Sequence, residues 1–300
     1  MDLLPHDHFL DLFAELTNRE TLDYMKNLLI ALDYLHKNLV IHRDIKPPNF
    51  LYNREFKKYA LIDFGMAEVY VAPEKTIERQ PRKIVVTEFD KSCFYQTKAN
   101  PRCVCLYEKM NTVCGICQDR PRNRGKGAGT PGFTAPEVLF RAKHQTCALD
   151  IWSAGITFLC LWAKRYPVFN PLDGMEMVGQ LAMLFGDEQM KKLAWECGCS
   201  ISIEPEISSS GIDLALFAMY VRDGITVEHP LKGSKPHCSR CAKTIHENPD
   251  GVCWCAGTED SKNYLPDDPD ARKIFVIIKN CLRISPSERY SAEMLLAMFS

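Results

Sequence analysis

A helix signal that runs straight into a cluster of polar residues constrains this chain more than any other feature. "TNRE" at residues 17–20 has the Thr-x-x-Glu form of a capping box, and Leu22, Met25, Leu28, Leu29, Leu32 and Leu35 follow at helical spacing. The spacing predicts a helix from about Asn18 to His36 with one apolar face. Directly after it, "IHRDIKPPNF" (41–50) brings His42, Arg43, Asp44, Lys46 and Asn49 close together, a density of polar function that packing alone rarely requires. Two strand-like runs, "FLYN" (50–53) and "YALIDFG" (59–65), then flank a charged turn. The polar cluster therefore falls on a loop between helix and hairpin, where a rigid scaffold can present reactive groups.

Beyond this region the chain alternates between regular and irregular stretches. From Met66 to about Gly129 the pattern dissolves into charged, Pro-containing and Cys-containing sequence. Helical pattern returns at about Cys147 to Lys164 and at about Met175 to Phe185, and a second irregular stretch covers roughly Glu196 to Leu265. "ARKIFVIIKNCLRI" and "SPSERYSAEMLLAMF" read as two closing helices, with Ser291 as a cap for the second. The fold class expected is mainly α, with a few strands (α+β).

Composition excludes several classes. The 300 residues carry a formal net charge of -1, which gives no electrostatic reason for nucleic acid or an anionic membrane as main partner. The longest apolar run, "IWSAGITFLCLW" (151–162), falls short of the roughly twenty residues that span a bilayer. The opening "MDLLPHDHFL" has acids and a proline where a secretory signal would have a basic and then an apolar segment.

The 14 cysteines therefore point to metal rather than to a disulfide framework. Cys103 and Cys105 with Cys114 and Cys117 form one set of four thiols, and Cys238 and Cys241 with Cys253 and Cys255 form a mirror-image set. Each set suffices for a closed tetrahedral zinc site, which would supply folding energy where there is little core. His237, His246, Cys93, Cys197 or Cys199 could replace a named ligand, whereas Cys147, Cys160 and Cys281 lie in helical patterns as small core residues.

His42-Arg43-Asp44 with Lys46 and Asn49, then Asp63-Phe64-Gly65, then Ala135-Pro136-Glu137, occur in the order of the large lobe of a eukaryotic protein kinase, which the chain resembles. "IHRDIKPPNFLYNREFKKYALIDFGMAE" and the long insertion before "GTPGFTAPE" are similar to one branch, the cell-division-cycle kinase that fires replication origins, or Dbf-four-dependent kinase. The resemblance implies a kinase C-terminal lobe with two Cys-rich inserts. Its parts would be the catalytic-loop region (1–65), an activation-segment insert (66–129), the substrate loop and central helices (130–195), a second Cys-rich insert (196–265) and the C-terminal helices (266–300).

What the resemblance implies for the site is specific. Asp44 would accept and orient the substrate hydroxyl, Lys46 would reach the γ-phosphate of ATP, and Thr130 would tie the substrate loop to both. Asn49 and Asp63 would hold Mg2+ through oxygen ligands. Glu137 and Arg289 would form a structural ion pair, and Asp150 would hold the catalytic-loop backbone. The implied protein is a nuclear serine/threonine kinase with a Dbf-type regulatory subunit and minichromosome maintenance helicase subunits as substrates. Arg120, Arg122, Arg124 and Lys126 could attract acidic substrates.

A kinase also needs a small lobe with a glycine-rich loop and a strand lysine. Met1 lies so close to "IHRDIKPPNF" that the small lobe is expected to be absent. Gly127-x-Gly129-x-x-Gly132 is a decoy, since no strand precedes it. Two expectations follow: the chain alone transfers little phosphate, or it is a zinc-stapled interaction module without catalysis.

Overall fold

The computed structural model describes residues 5–71, 129–199, 201, 203, 211–223 and 267–300. Both cysteine sets lie outside them, as do Arg120, Arg122, Arg124 and Lys126. Among the described residues the protein is mostly helical with four short strands. Helix α1 (Phe9–Leu12) precedes α2 (Asn18–Lys37), which starts at a complete capping box: Thr17 accepts from the Glu20 backbone N–H, and the Glu20 side chain accepts from that of Thr17. The apolar stripe of α2, from Leu22 through Leu32, is buried.

Strand β1 (Val40–Ile41) follows, then the loop of polar residues, then an antiparallel hairpin of β2 (Phe50–Asn53) and β3 (Lys58–Leu61) in the register Phe50↔Leu61 to Asn53↔Lys58. The second strand is shorter than "YALIDFG" suggested. Asp63 adopts a left-handed backbone, φ +61°, and opens a 3-10 turn over Phe64–Met66, which extended structure cannot include. Past that turn, β4 (Glu68–Val69) pairs antiparallel with β1, so regular structure extends beyond Met66, where it was expected to end.

The core is built around α4 (Ala148–Trp162), in which every residue from Leu149 to Trp162 is buried. A helix apolar on all sides is stable only when surrounded. Helix α2 covers one side and α8 (Pro269–Cys281) another. Gly155 permits the closest approach: a Cβ there would lie 2.6 Å from the Cys281 Cβ and 2.8 Å from a Leu282 methyl carbon. The short α3 (Pro136–Leu139) packs on α5 (Gly174–Phe185) and α6 (Asp187–Glu196), and α9 (Ala292–Leu296), capped by Ser291, closes over α2.

One further correction concerns residues 196–265, expected to be irregular. Helix α7 (Leu214–Asp223) lies within them and buries Ala215, Leu216 and Ala218. Asp213 starts it by accepting from the backbone N–H groups of Ala215 and Leu216. No helix among the described residues is long and apolar enough to cross a membrane.

Candidate active site

The loop after β1 takes its shape from a carboxylate in the core. Asp150, in the first turn of α4, is fully buried and accepts from the backbone N–H groups of His42 and Arg43, each at 2.8 Å. His36, near the end of α2, adds a third bond to the same carboxylate at 3.0 Å. These bonds compensate the burial of a charge and hold Arg43 in a left-handed conformation, φ +71°. The kinked chain then delivers Asp44.

Asp44 is the centre of a compact polar network. Its Oδ1 accepts from the Thr130 hydroxyl at 2.7 Å, and its Oδ2 pairs with the Lys46 ammonium at 2.8 Å. Lys46 also donates to Thr130 Oγ1 at 2.9 Å, so the three side chains close a triangle. Asn49 donates its amide to the Asp44 carbonyl at 2.8 Å and to Oδ2 at 3.1 Å. Burial alone would push the Asp44 carboxyl up, but Lys46, Thr130 and Asn49 together bring it below its ordinary value. At neutral pH Asp44 is therefore an ionised acceptor.

Asp63 is positioned by the neighbouring backbone. Ile62 donates its N–H to the Asn49 carbonyl at 2.9 Å, and its own carbonyl meets His42 Nε2 at 2.9 Å. Asp63, the next residue, is thus anchored to the loop that carries Asn49. Its exposed carboxylate has one weak contact, the Gly65 N–H at 3.4 Å. With both donor contacts of the Asn49 amide made to Asp44, the side-chain oxygen remains its acceptor. A carboxylate and an amide oxygen suit a hard divalent cation such as Mg2+, which takes one or two protein oxygens beside phosphates and water.

Thr130 reaches Asp44 from a stretch that α3 and α4 anchor. Gly132, at φ +86°, lets this loop pass Phe169, whose carbonyl oxygen would be 2.5 Å from any Cβ there. Behind it the Arg289 guanidinium grips Glu137 of α3 with two bonds, 2.8 and 3.1 Å, while donating to the carbonyls of Arg283, Ala148 and Ile284. The pair is almost completely buried, and the guanidinium stacks 5.1 Å above the Trp152 ring.

The structure thus brings together Asp44, Lys46, Asn49 and Thr130, places Asp63 beside them through the backbone, and sets Asp150, Glu137 and Arg289 in the framework. Sequence reasoning missed His36 and the partners of Arg43, which are Glu68 on β4 and Gln145 ahead of α4. A histidine in the last turn of a helix gives no local cue, and Glu68 lay in sequence read as irregular. The eight named zinc cysteines lie outside the described residues. Cys197 and Cys199, considered as substitutes, pack against the core; burial pushes the Cys197 thiol up to about 12, and the Cys199 thiol donates to the Phe140 carbonyl at 3.5 Å.

Comparison with known proteins assigns the arrangement. The family described as protein kinase domain matches residues 1–93 and 115–299. Among curated relatives, the probable cell division control protein 7 homolog 2 of Encephalitozoon cuniculi is 38% identical over 57% of this chain and 46% of its own length. The cell cycle serine/threonine-protein kinase hsk1 of Schizosaccharomyces pombe is 34% identical over 65% of this chain and 36% of its own. The cell division cycle 7-related protein kinase of Mus musculus is 26% identical over 79% and 61%, respectively. The chain spans about half the length of the curated relatives it matches.

These matches correct the expectation of a large lobe with its small lobe absent. The kinase-domain match begins at residue 1 and is to the domain as such, so no lobe is set apart as missing, and it runs on through the second Cys-rich stretch. The readings of a chain inactive for want of that lobe, and of a purely interacting module, lose their premise. With the family model matching most of its length, this chain belongs to the protein kinase domain family.

Proposed function

We propose that the protein transfers the γ-phosphoryl group of ATP to serine or threonine side chains of proteins. The observation that carries this reading is the triangle of Asp44, Lys46 and Thr130 beside Asn49. Asp44 accepts the hydrogen of the attacking hydroxyl and aligns its oxygen. Because its neighbours hold it below the ordinary carboxylate range, it is a weak base and takes the proton late. That suits a loose transition state, in which bond formation to the nucleophile lags behind departure of the leaving group. Lys46 offers a mobile point charge to the phosphate oxygens, and Thr130 keeps the substrate loop in register with both. Mg2+ on Asn49 and Asp63 would neutralise charge on the phosphates.

The finer reading places this activity in cell-cycle control and initiation of DNA replication, in the nucleus, with a Dbf-type regulatory subunit and helicase subunits as substrates. Its support is the likeness to a probable cell division control protein 7 homolog and to a cell division cycle 7-related protein kinase, at 38% identity or less. We keep the two cysteine sets, Cys103, Cys105, Cys114 and Cys117, and Cys238, Cys241, Cys253 and Cys255, as structural zinc sites on their donor chemistry and spacing.

The test is phosphate transfer from labelled ATP to an acidic serine-containing protein, with and without a Dbf-type subunit. Activity that needs Mg2+ and disappears in Asp44→Asn supports the reading; transfer that ignores the substitution refutes it.

A further inference from the structure

Arg43 precedes Asp44, and its guanidinium is buried, with only 6% of the side chain exposed. A guanidinium cannot give up its proton in a protein, so a buried one depends on the acceptors around it. Two of them come from separate segments. Glu68 on β4 forms an ion pair through Nη1, and Gln145 accepts from Nη2 at 2.9 Å. Arg43 thus joins its own loop to the strand that follows Asp63 and to the stretch leading into α4.

The β1–β4 ladder needs such a tie. Each strand has two residues, with pairs Val40↔Val69 and Ile41↔Glu68 and a flanking bond from the Tyr70 N–H to the Leu39 carbonyl. A ladder this short is marginal by itself. Val69 and Val71 are largely exposed and contribute little burial there. Glu68 is different: its backbone sits opposite Ile41, and its carboxylate reaches the buried cation two residues further on. Asp63 lies upstream on the same short segment, separated from β4 by the 3-10 turn.

We propose that Glu68 is a positioning residue for phosphate transfer: its carboxylate, held on Arg43, pins β4 beside the loop carrying Asp44 and so fixes the segment that begins at Asp63. The inference rests on the proposed reading of Asp44 as acceptor of the substrate hydroxyl and of Asp63 as a Mg2+ ligand. Glutamine at 68 keeps the shape but removes the charge, and aspartate keeps the charge on a shorter arm.

The experiment compares the full protein with Glu68→Gln and Glu68→Asp by hydrogen exchange and by kinase kinetics. In Glu68→Gln the Tyr70 amide exchanges about tenfold faster or more, while α2 and α4 are unchanged. Its kcat falls by roughly ten- to a hundredfold through misplacement of the site, with KM for ATP within about twofold. Glu68→Asp recovers part of both losses. Unchanged Tyr70 exchange overturns the proposal whatever the kinase rate, and faster exchange with unaltered kcat overturns the catalytic part. Faster exchange throughout α2 and α4 makes Glu68 a general stability residue, which also overturns it. Absence of transfer by the wild-type protein would instead refute the kinase reading, and the exchange result would still decide whether Glu68 pins β4.

Discussion

Thr130 donates its hydroxyl hydrogen to Asp44 Oδ1 at 2.7 Å across 86 residues of sequence, and Thr130 Oγ1 in turn accepts from the Lys46 ammonium at 2.9 Å. The stretch leading into α3 and the loop after β1 are therefore joined at the carboxylate proposed to accept the substrate hydroxyl. Thr130→Val keeps the volume and removes both bonds. It should lower kcat by about ten- to a hundredfold, since small misplacements at a reacting centre are costly. Thr130→Ser should retain most of the rate. Steady-state kinetics of the two variants checks this, and equal rates for valine and wild type would show that the bond is dispensable.

The Glu137–Arg289 pair is a stability element. Removing one partner leaves the other charge buried without compensation, a cost of about 3–5 kcal/mol. Arg289→Met also strips the hydrogen bonds to three backbone carbonyls. Urea unfolding should show a greatly lowered midpoint for Arg289→Met and for Glu137→Leu, and a double variant less impaired than the sum of the two. Strict additivity would mean that the residues do not act as a pair.

Glu20 gives the pH dependence a definite sign. Its bond with Arg54, helped by the Thr17 backbone N–H, lowers the carboxyl from 4.5 to about 2. A value depressed in the folded state stabilises the protein fully above 4.5, and the contribution fades as pH falls from there toward 2. Because the pair is partly exposed, the effect is modest. Glu20→Gln should melt below wild type at neutral pH, with the gap closing on acidification. A gap that widens in acid would contradict the assignment.

Zinc content tests the cysteine sets. Gently purified protein should carry about two zinc ions per chain, and chelation should lower its thermal stability, because metal binding contributes to folding in segments with little core. Elemental analysis that returns no zinc would remove both sites from the account.

Helix α2 was legible because its signals are local: a capping box at its start and apolar residues at a constant period. The hairpin was legible too, apart from its end, where the left-handed backbone of Asp63 stops β3 early. Helix α7 escaped notice because "LALFAMYVRD" is short and sits among polar, Cys-containing sequence, so no long period announces it. The site divides in the same way. Asp44, Lys46 and Asn49 lie within one short loop and could be read together, whereas the contacts of His36 with Asp150 and of Arg43 with Glu68 exist only once the chain has folded. Distant charges carry no period and no spacing rule.

Asp44 and the residues around it are proposed to transfer phosphate from ATP to protein serine or threonine. The most direct measurement is the initial rate of labelled phosphate incorporation into an acidic serine-containing substrate, by wild type and by Asp44→Asn, with Mg2+ and a Dbf-type subunit present. Wild type should transfer phosphate in a Mg2+-dependent way, and Asp44→Asn should be slower by at least about a hundredfold, the range set by losing a positioned acid–base group. Equal rates for the two proteins, or no transfer by wild type, would contradict it.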